Sequence, residues 1–190
     1  MDFFKNKENV DKYIEMVKDY DGTWLINKID DYLEKECSLL ELGMGPGTDL
    51  QILSRKYKVV GSDNSSIFIE KFNKKNTGIE AIYIDAKEMN TDRKFDCIYS
   101  NKVLHHLKKS EFIESIKNQN KNLNQDGIIF MTLWRGEYRD EIMFDGEVRF
   151  TYYLESDIKE IVEKDYNILC LETYNECDKN DSLLVVLRKK

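Results

Sequence analysis

Residues Leu39-Leu40-Glu41-Leu42-Gly43-Met44-Gly45-Pro46-Gly47-Thr48 read as a buried strand that breaks into three glycines at alternate positions and then enters a helix. Missing Cβ atoms permit the tight turn and let a ligand lie against the backbone at the carboxyl end of the first strand, where open α/β sheets bind their ligands. The rest of the chain has to supply the sheet that this junction implies. Short apolar runs recur at Ser38 to Leu42, Lys58 to Asp63, Glu80 to Asp85, Phe95 to Ser100 and Gly127 to Trp134. Between several of them the spacing is helical, as in Ile67, Phe68 and Phe72, and again in Phe112, Ile113, Ile116 and Leu123. Strands buried on both faces and separated by helices predict a parallel, doubly wound α/β sheet.

The ending breaks the rhythm. After a helix over Glu155 to Lys164, Ile168 to Tyr174 and Ser182 to Leu187 read as two strands joined by the polar turn 175–181. That connection is too short for a parallel crossover, so the last strand is expected to run antiparallel, giving a Rossmann-like sheet of seven strands. The first 35 residues are helical in pattern, with Val10, Tyr13, Ile14 and Val17 on one stripe and Leu25, Ile29, Tyr32 and Leu33 on a second. No repeat, low-complexity tract or linker divides the chain, whose single proline is Pro46. A single domain over 1–190 is expected, with a helical cap over 1–35, a ligand-binding core over 36–190, and a possible substrate-covering segment at 135–150.

Composition narrows the partners. The formal charge is −7 and charged residues make up 34% of the chain, against about 25% in ordinary soluble proteins. An acidic chain lacks the electrostatic attraction that supplies most non-specific nucleic-acid affinity, so no nucleic-acid partner is expected. The longest nearly apolar stretch, Ile128 to Trp134, is far too short to span a membrane, and Met1 to Lys5 lacks the apolar core of a signal peptide. No membrane partner and a cytoplasmic location are therefore expected; the oligomeric state is not legible. Cys37, Cys97, Cys170 and Cys177 contain no C-x-x-C pair and read as reduced thiols. The only two histidines, His105 and His106, are adjacent and cannot make the i, i+4 metal face of a helix, so no metal site is expected.

Acids close the early strands. Asp63 falls about twenty residues after Gly43, where a carboxylate accepts hydrogen bonds from both hydroxyls of a ribose. Asp85 closes the third strand and is followed by Ala86, while Glu41 lies within the first. Taken singly these are solvated strand ends or helix caps; together they line one edge of the sheet.

With these residues in view, the chain from about Thr23 onward resembles the class I S-adenosylmethionine-dependent methyltransferases. Glu41-Leu-Gly-Met-Gly-Pro-Gly47 is similar to the family's first motif, Gly61-Ser-Asp63 to its second, Ile84-Asp85-Ala86 to its third, and Phe95 through Leu107 to its fourth. The late hairpin matches its antiparallel seventh strand. The dinucleotide dehydrogenase pattern places two residues before its third glycine, whereas here Pro46 alone stands between Gly45 and Gly47. The resemblance implies S-adenosylmethionine as cofactor. It places Gly43, Gly45 and Gly47 beneath the methionine part, Glu41 near the amino group, Asp63 with Asn64 at the ribose, Asp85 and Ala86 at the adenine, and Ser100 and Asn101 at the methionine end. It also implies methyl transfer to a small-molecule acceptor. Ser100-Asn101-Lys102-Val103 replaces the Pro-Pro-Tyr signature of nucleobase and glutamine amino-methylating enzymes, and the Val-Leu-His-His-Leu ending is most like small-molecule branches such as the quinone-biosynthesis and tellurite-resistance types. The alternatives are a cofactor-binding interaction module without catalysis and a nicotinamide oxidoreductase on a similar fold.

Three groups remain. His105 and His106 follow the fourth strand closely, and one of them is a candidate general base for an acceptor proton. Arg135, Arg139 and Arg149 are placed to clamp a carboxylate or phosphate, although Glu137, Asp140, Glu141, Asp145 and Glu147 are interleaved, and pairing with these acids is the favoured expectation. The aromatic set Tyr20, Trp24, Trp134, Tyr138, Phe150, Tyr152 and Tyr153 reads as core, or as the wall of an apolar or cationic pocket.

Overall fold

The computed structural model describes residues 3–75, 78–144 and 148–190. Seven strands form one sheet: β1 (Ser38–Leu42), β2 (Lys58–Asp63), β3 (Glu80–Tyr83), β4 (Phe95–Asn101), β5 (Leu123–Trp134), β8 (Tyr166–Tyr174) and β9 (Ser182–Lys189), in the order β3-β2-β1-β4-β5-β9-β8. The first five run parallel, and β9 enters antiparallel between β5 and β8. A second, two-stranded sheet pairs β6 (Arg139–Met143) with β7 (Val148–Tyr152). The chain order therefore reverses at β1, whose neighbours β2 and β4 leave a crevice above their carboxyl ends.

Strand alternation sorts the apolar side chains to two faces. Leu40, Ile98, Ile129, Met131, Val185 and Leu187 pack with Phe112 and Ile116 of α5 (Lys109–Asn122) and Ile158 and Val162 of α6 (Glu155–Val162). Their sequence neighbours Leu39, Cys97, Tyr99, Ile128, Phe130 and Val186 pack on the other face with Leu25 and Ile26 of α2 (Thr23–Asn27) and Leu53 of α3 (Thr48–Leu53). Phe72 of α4 (Ser66–Lys74) joins Leu50 and Met44 in a smaller cluster near the glycine turn.

The expected architecture holds, with local differences. The N-terminal region forms α1 (Lys7–Met16), whose first amides at Glu8 and Asn9 are capped by the Asn6 side chain, and then α2, which tightens into a 3-10 turn over Lys28–Asp31. β3 ends at Tyr83 rather than Asp85, because the Asp85 carboxylate turns back to accept the Lys87 amide at 2.9 Å. β5 starts at Leu123, four residues earlier than the apolar pattern indicates, through an irregular register opposite β4. The segment 135–150, read as a possible substrate-covering segment, holds β6 and most of β7; β6 is largely exposed while β7 buries Val148 and Thr151, so the pair shows no regular alternation for a sequence reading to detect. Asp145 and Glu147, two of the acids expected to pair with arginines, lie outside the described residues.

The edge of the sheet opposite the crevice is fastened by Asp96. Its Oδ2 accepts the Ser38 amide and hydroxyl at 2.8 and 2.7 Å, and its Oδ1 accepts Asn124 Nδ2 at 2.7 Å, joining the starts of β1, β4 and β5. Burial alone would raise this carboxyl, but the bonds from Asn124 and Ser38 hold it below its ordinary value. Removing the carboxylate in Asp96→Ala is expected to cost roughly 1 kcal/mol at pH 7, a modest figure because water reaches the group. The depressed folded value means that this contribution is complete above the unfolded carboxyl pKa of about 3.9 and disappears as pH falls through the folded one. Urea unfolding of both proteins across that range checks whether the gap closes.

Candidate active site

The glycine turn is built on left-handed backbone. Gly43, Gly45 and Gly47 have φ of 68°, 51° and 80°, a region that side-chain-bearing residues seldom occupy. Space adds a second constraint at Gly47, where a Cβ would fall 2.3 Å from the Phe72 ring. Beside Gly45, by contrast, the nearest atom to such a Cβ is Tyr13 Cε1 at 3.8 Å. The turn is held by Met44 N–H donating to Ser62 O at 2.8 Å and Gly47 N–H to Met44 O at 2.8 Å.

Asp63 clasps this turn to the end of β2. Its Oδ2 accepts the Gly45 amide at 2.9 Å and its Oδ1 the Ser65 amide at 2.8 Å. Burial pushes the carboxyl up to about 6, against the backbone N–H groups of Gly45, Ser65 and Asn64 that favour the charged form. Each oxygen retains acceptor capacity for a further donor.

A cavity of about 440 Å³ opens over this edge of the sheet. Of the candidate site residues in the sequence, Gly43, Gly45, Asp63, Asn64, Asp85, Ala86, Asn101 and His106 line it, as does Arg149 of the three arginines. Gly47 does not, and its place under Phe72 makes it a shaper of the turn. Glu41 and Ser100 lie behind the lining, both buried, with Glu41 Oε2 and Ser100 Oγ lacking any hydrogen-bond partner. Burial, followed by the charges of Asp49 and Asp63, raises the Glu41 carboxyl well above its usual range.

The polar wall between the cavity and the first helices centres on Asn101. Its Oδ1 accepts Thr132 Oγ1 at 2.6 Å, and its Nδ2 donates to Tyr20 Oη at 2.6 Å and to Asp49 Oδ2 at 3.1 Å. Tyr99 Oη also donates to Asp49 Oδ2, at 2.7 Å, whereas the other Asp49 oxygen has no donor. Asp49 was not visible as a site residue in the sequence; the available signal was an acid two positions beyond Gly47, at the start of an otherwise apolar helix. The Asn101 side chain is thus fully engaged within the protein.

The two histidines diverge. His106 faces the cavity, with Nδ1 2.7 Å from the Arg149 carbonyl. Because a carbonyl only accepts, Nδ1 carries the proton and Nε2 keeps its lone pair. His105 points away from the lining, among His106, Phe150 and Trp134, with neither ring nitrogen bonded. Burial lowers both pKa values, that of His105 well below the ordinary imidazole range. Of the two candidates, His106 is the one that faces the cavity, because the 3-10 turn over Leu104–His106 directs the His105 ring away among Phe150 and Trp134.

The roof is aromatic and joins the N-terminal region to α4. Phe4, Tyr13 and Phe68 meet edge-on or tilted at 5.2 to 5.9 Å, and the Ser65 hydroxyl donates to Phe4 O at 2.5 Å. The three arginines do not form a clamp. Arg135 pairs with Glu155 at 3.0 Å, Arg139 with Glu141 at 2.8 Å, and Arg149 with Asp140. Lys102, also at the cavity, has φ 53° and donates to Ser182 Oγ at 2.6 Å and Leu133 O at 3.1 Å, with its ammonium 3.6 Å from the Trp134 ring centre.

Residues 39–127 match a family model described as a methyltransferase domain. A 37.1 kDa protein in transposon TN4556 of Streptomyces fradiae is 31% identical over 78 residues, which is 37% of this chain and 23% of that protein, so the chain matches less than a quarter of this relative's length. Among solved structures, an S-adenosylmethionine-dependent methyltransferase from Clostridium acetobutylicum superposes with a TM-score of 0.75 at 16% identity, covering 94% of this chain and 98% of that one. One from Mesorhizobium loti gives 0.72 at 16%, covering 90% and 99%. TehB of Haemophilus influenzae gives 0.69 at 21%, covering 90% of this chain and 63% of that one. These likenesses establish a shared fold, down to the antiparallel strand inserted beside β5. Together with the stretch matched over residues 39–127, they show a segment similar to a methyltransferase domain set within the fold of S-adenosylmethionine-dependent methyltransferases.

Proposed function

We propose that this chain binds S-adenosylmethionine at the glycine turn and transfers its methyl group to a small-molecule acceptor, as a cytoplasmic enzyme. The observation that carries the reading is the set of carboxylate oxygens around that turn. Asp63, which lines the cavity, presents a carboxylate whose protein bonds leave acceptor capacity, and Glu41 Oε2 is buried behind the lining with no donor. A ligand that brings an ammonium, a sulfonium and ribose hydroxyls matches this donor-poor, acid-rich edge. The open side of Gly45 gives such a ligand backbone to lie on.

In this reading Gly43 and Gly45 support the methionine part on a turn shaped by Gly47, and Glu41 lies toward its amino group. Asp63 and Asn64 take the ribose, Asp85 and Ala86 the adenine edge, and Ser100 and Asn101 bound the methionine end. Ser115 Oγ donates to Ala86 O at 2.6 Å and so fixes that edge from α5. S-adenosylmethionine supplies an already activated methyl group on sulfur, so the protein's share is orientation and exclusion of water. Phe4, Tyr13 and Phe68 exclude water from above. His106, neutral and with Nε2 free, takes the proton of the acceptor. Among the described residues no helix is long and apolar enough to cross a membrane.

S-adenosylhomocysteine is expected to raise the melting temperature while NADH does not, since a ligand bound only by the folded state adds about 2.7 kcal/mol at a hundredfold excess over Kd. Asp63→Ala is expected to weaken the shift. In the wild type, affinity measured by calorimetry is expected to fall as pH drops through about 6, where protons compete for the Asp63 carboxylate. Equal shifts with both ligands, or none, would refute the assignment.

The histidine role is tested once an acceptor is in hand. His106→Ala is expected to lose roughly 100-fold in turnover with S-adenosylhomocysteine affinity nearly unchanged. Wild-type turnover is expected to rise with pH through a value below the ordinary imidazole pKa and to be level at pH 7, because burial lowers His106. Full turnover in His106→Ala would remove the base from the mechanism and leave proximity alone.

A further inference from the structure

Tyr20 and Trp24 stand on either side of the Asp21-Gly22-Thr23 break, which the apolar stripes of the cap leave unexplained. Folding brings this turn against Tyr174-Asn175-Glu176 at the end of β8, and a second cavity of about 220 Å³ lies between them. Its walls are aromatic and acidic. The Trp24 and Tyr174 rings lie 5.4 Å apart at 42°, and Trp24 is 53% exposed, a large ring left half in water. Asp21 and Glu176 supply two carboxylates, and no lysine or arginine is among the lining residues.

Cations already use these rings from outside the lining. Lys28, paired with Glu172, sits 5.1 Å from the Trp24 ring centre, and Lys102 sits 5.4 Å from that of Tyr174. Lys102 reaches Glu176 only at 3.9 Å, because its shorter bonds go to Ser182 and Leu133. Behind the cavity wall, the unpartnered Asp49 Oδ1 lies where a side chain on Gly22 would be: a Cβ there would fall 1.9 Å from it. Asp49 is 6% exposed, so a buried negative charge backs the pocket through its thinnest residue. Aromatic faces attract organic cations through their quadrupoles, and the carboxylates of Glu176, held by Lys102 only at 3.9 Å, and of Asp21, bonded only to neutral Thr23 groups, add to that attraction.

The pocket adjoins the larger cavity. Tyr20, which lines the first, accepts a hydrogen bond at 2.6 Å from Asn101, which lines the second. We propose that the pocket walled by Tyr20, Trp24, Tyr174 and Glu176 binds an organic ammonium group and anchors the methyl acceptor, which is therefore an ammonium-bearing small molecule. Its binding half stands on the pocket alone, and its acceptor half rests on the methyl-transfer reading. A neutral molecule of the same shape forgoes the attraction of rings and carboxylates, and an anion is repelled by Asp21 and Glu176, while Lys28 and Lys102 lie outside the lining.

Trp24 fluorescence and calorimetry with tetramethylammonium and choline test it, with 3,3-dimethyl-1-butanol as the uncharged isostere of choline and acetate as the anion. Saturable binding of both cations is expected, with the isostere weaker by about tenfold or more and acetate silent. Trp24→Ala and Glu176→Gln are each expected to weaken choline by about tenfold. Both variants are expected to keep the wild-type affinity for S-adenosylhomocysteine, since neither residue lines the larger cavity. The glutamine is isosteric and the tryptophan half exposed, so unchanged melting temperatures are the control for folding. Failure of both cations to saturate, equal binding of the isostere, or unchanged choline affinity in both variants overturns the proposal. Cation binding by a protein that ignores S-adenosylhomocysteine would instead sink the methyl-transfer reading and leave the pocket standing.

Discussion

The Asp63 carboxylate, accepting the amides of Gly45 and Ser65, is the contact on which the site depends. A turn with left-handed glycines at three alternate positions leaves the Gly45 amide facing away from the strands, and a buried amide without a partner is costly. Asp63 stands at the end of β2, the parallel neighbour of β1, and so reaches across to the turn that β1 feeds. Once Gly45 is held, Gly43 packs under Val103 and Gly47 under Phe72, with no room for a Cβ at either place. The same carboxylate thus joins the first two strand ends and faces the cavity that they border.

The clasp belongs to a concentration of acid that the protein neutralises only in part. Glu41, Asp49 and Asp63 are all at least nine-tenths buried, and burial raises each of their pKa values. Tyr99 and Asn101 bond one Asp49 oxygen, but the other and Glu41 Oε2 find nothing. Buried carboxylates without cations are expensive, so such an arrangement persists where a ligand brings the missing donors. Lys102, the cation at the end of β4, does not answer this need, because Ser182, Leu133 and the Trp134 ring hold its ammonium elsewhere.

Cover over the site comes from two directions. From the N-terminus, Phe4 is held by Ser65, two residues beyond Asp63, so the aromatic roof and the glycine clasp share one anchor. From the far side, the β6–β7 hairpin reaches the roof through Phe144, which meets Phe3 at 5.6 Å and Phe150 at 6.1 Å. The hairpin also supplies the Arg149 carbonyl that sets the His106 tautomer, so a strand outside the main sheet controls the protonation geometry inside the cavity.

Local periodicity was enough to determine the strand-to-helix succession, the glycine turn, the acids at the strand ends and the antiparallel ending, since each is a pattern of neighbours in the chain. Gly43, Gly45, Asp63 and Asp85 were legible for that reason. Only the tertiary structure decided which of two adjacent histidines faces the cavity, because a one-residue rotation about a 3-10 turn exchanges inside for outside and both rings are equally polar in sequence. Distance in sequence hid the rest. Asp49 meets Tyr99 and Asn101 some fifty residues away, and Trp24 meets Tyr174 across almost the whole chain. The arginines divide in the same way: Arg139 and Arg149 pair with the interleaved acids Glu141 and Asp140, whereas Arg135 pairs with Glu155, twenty residues on, so each is engaged and the three form no clamp.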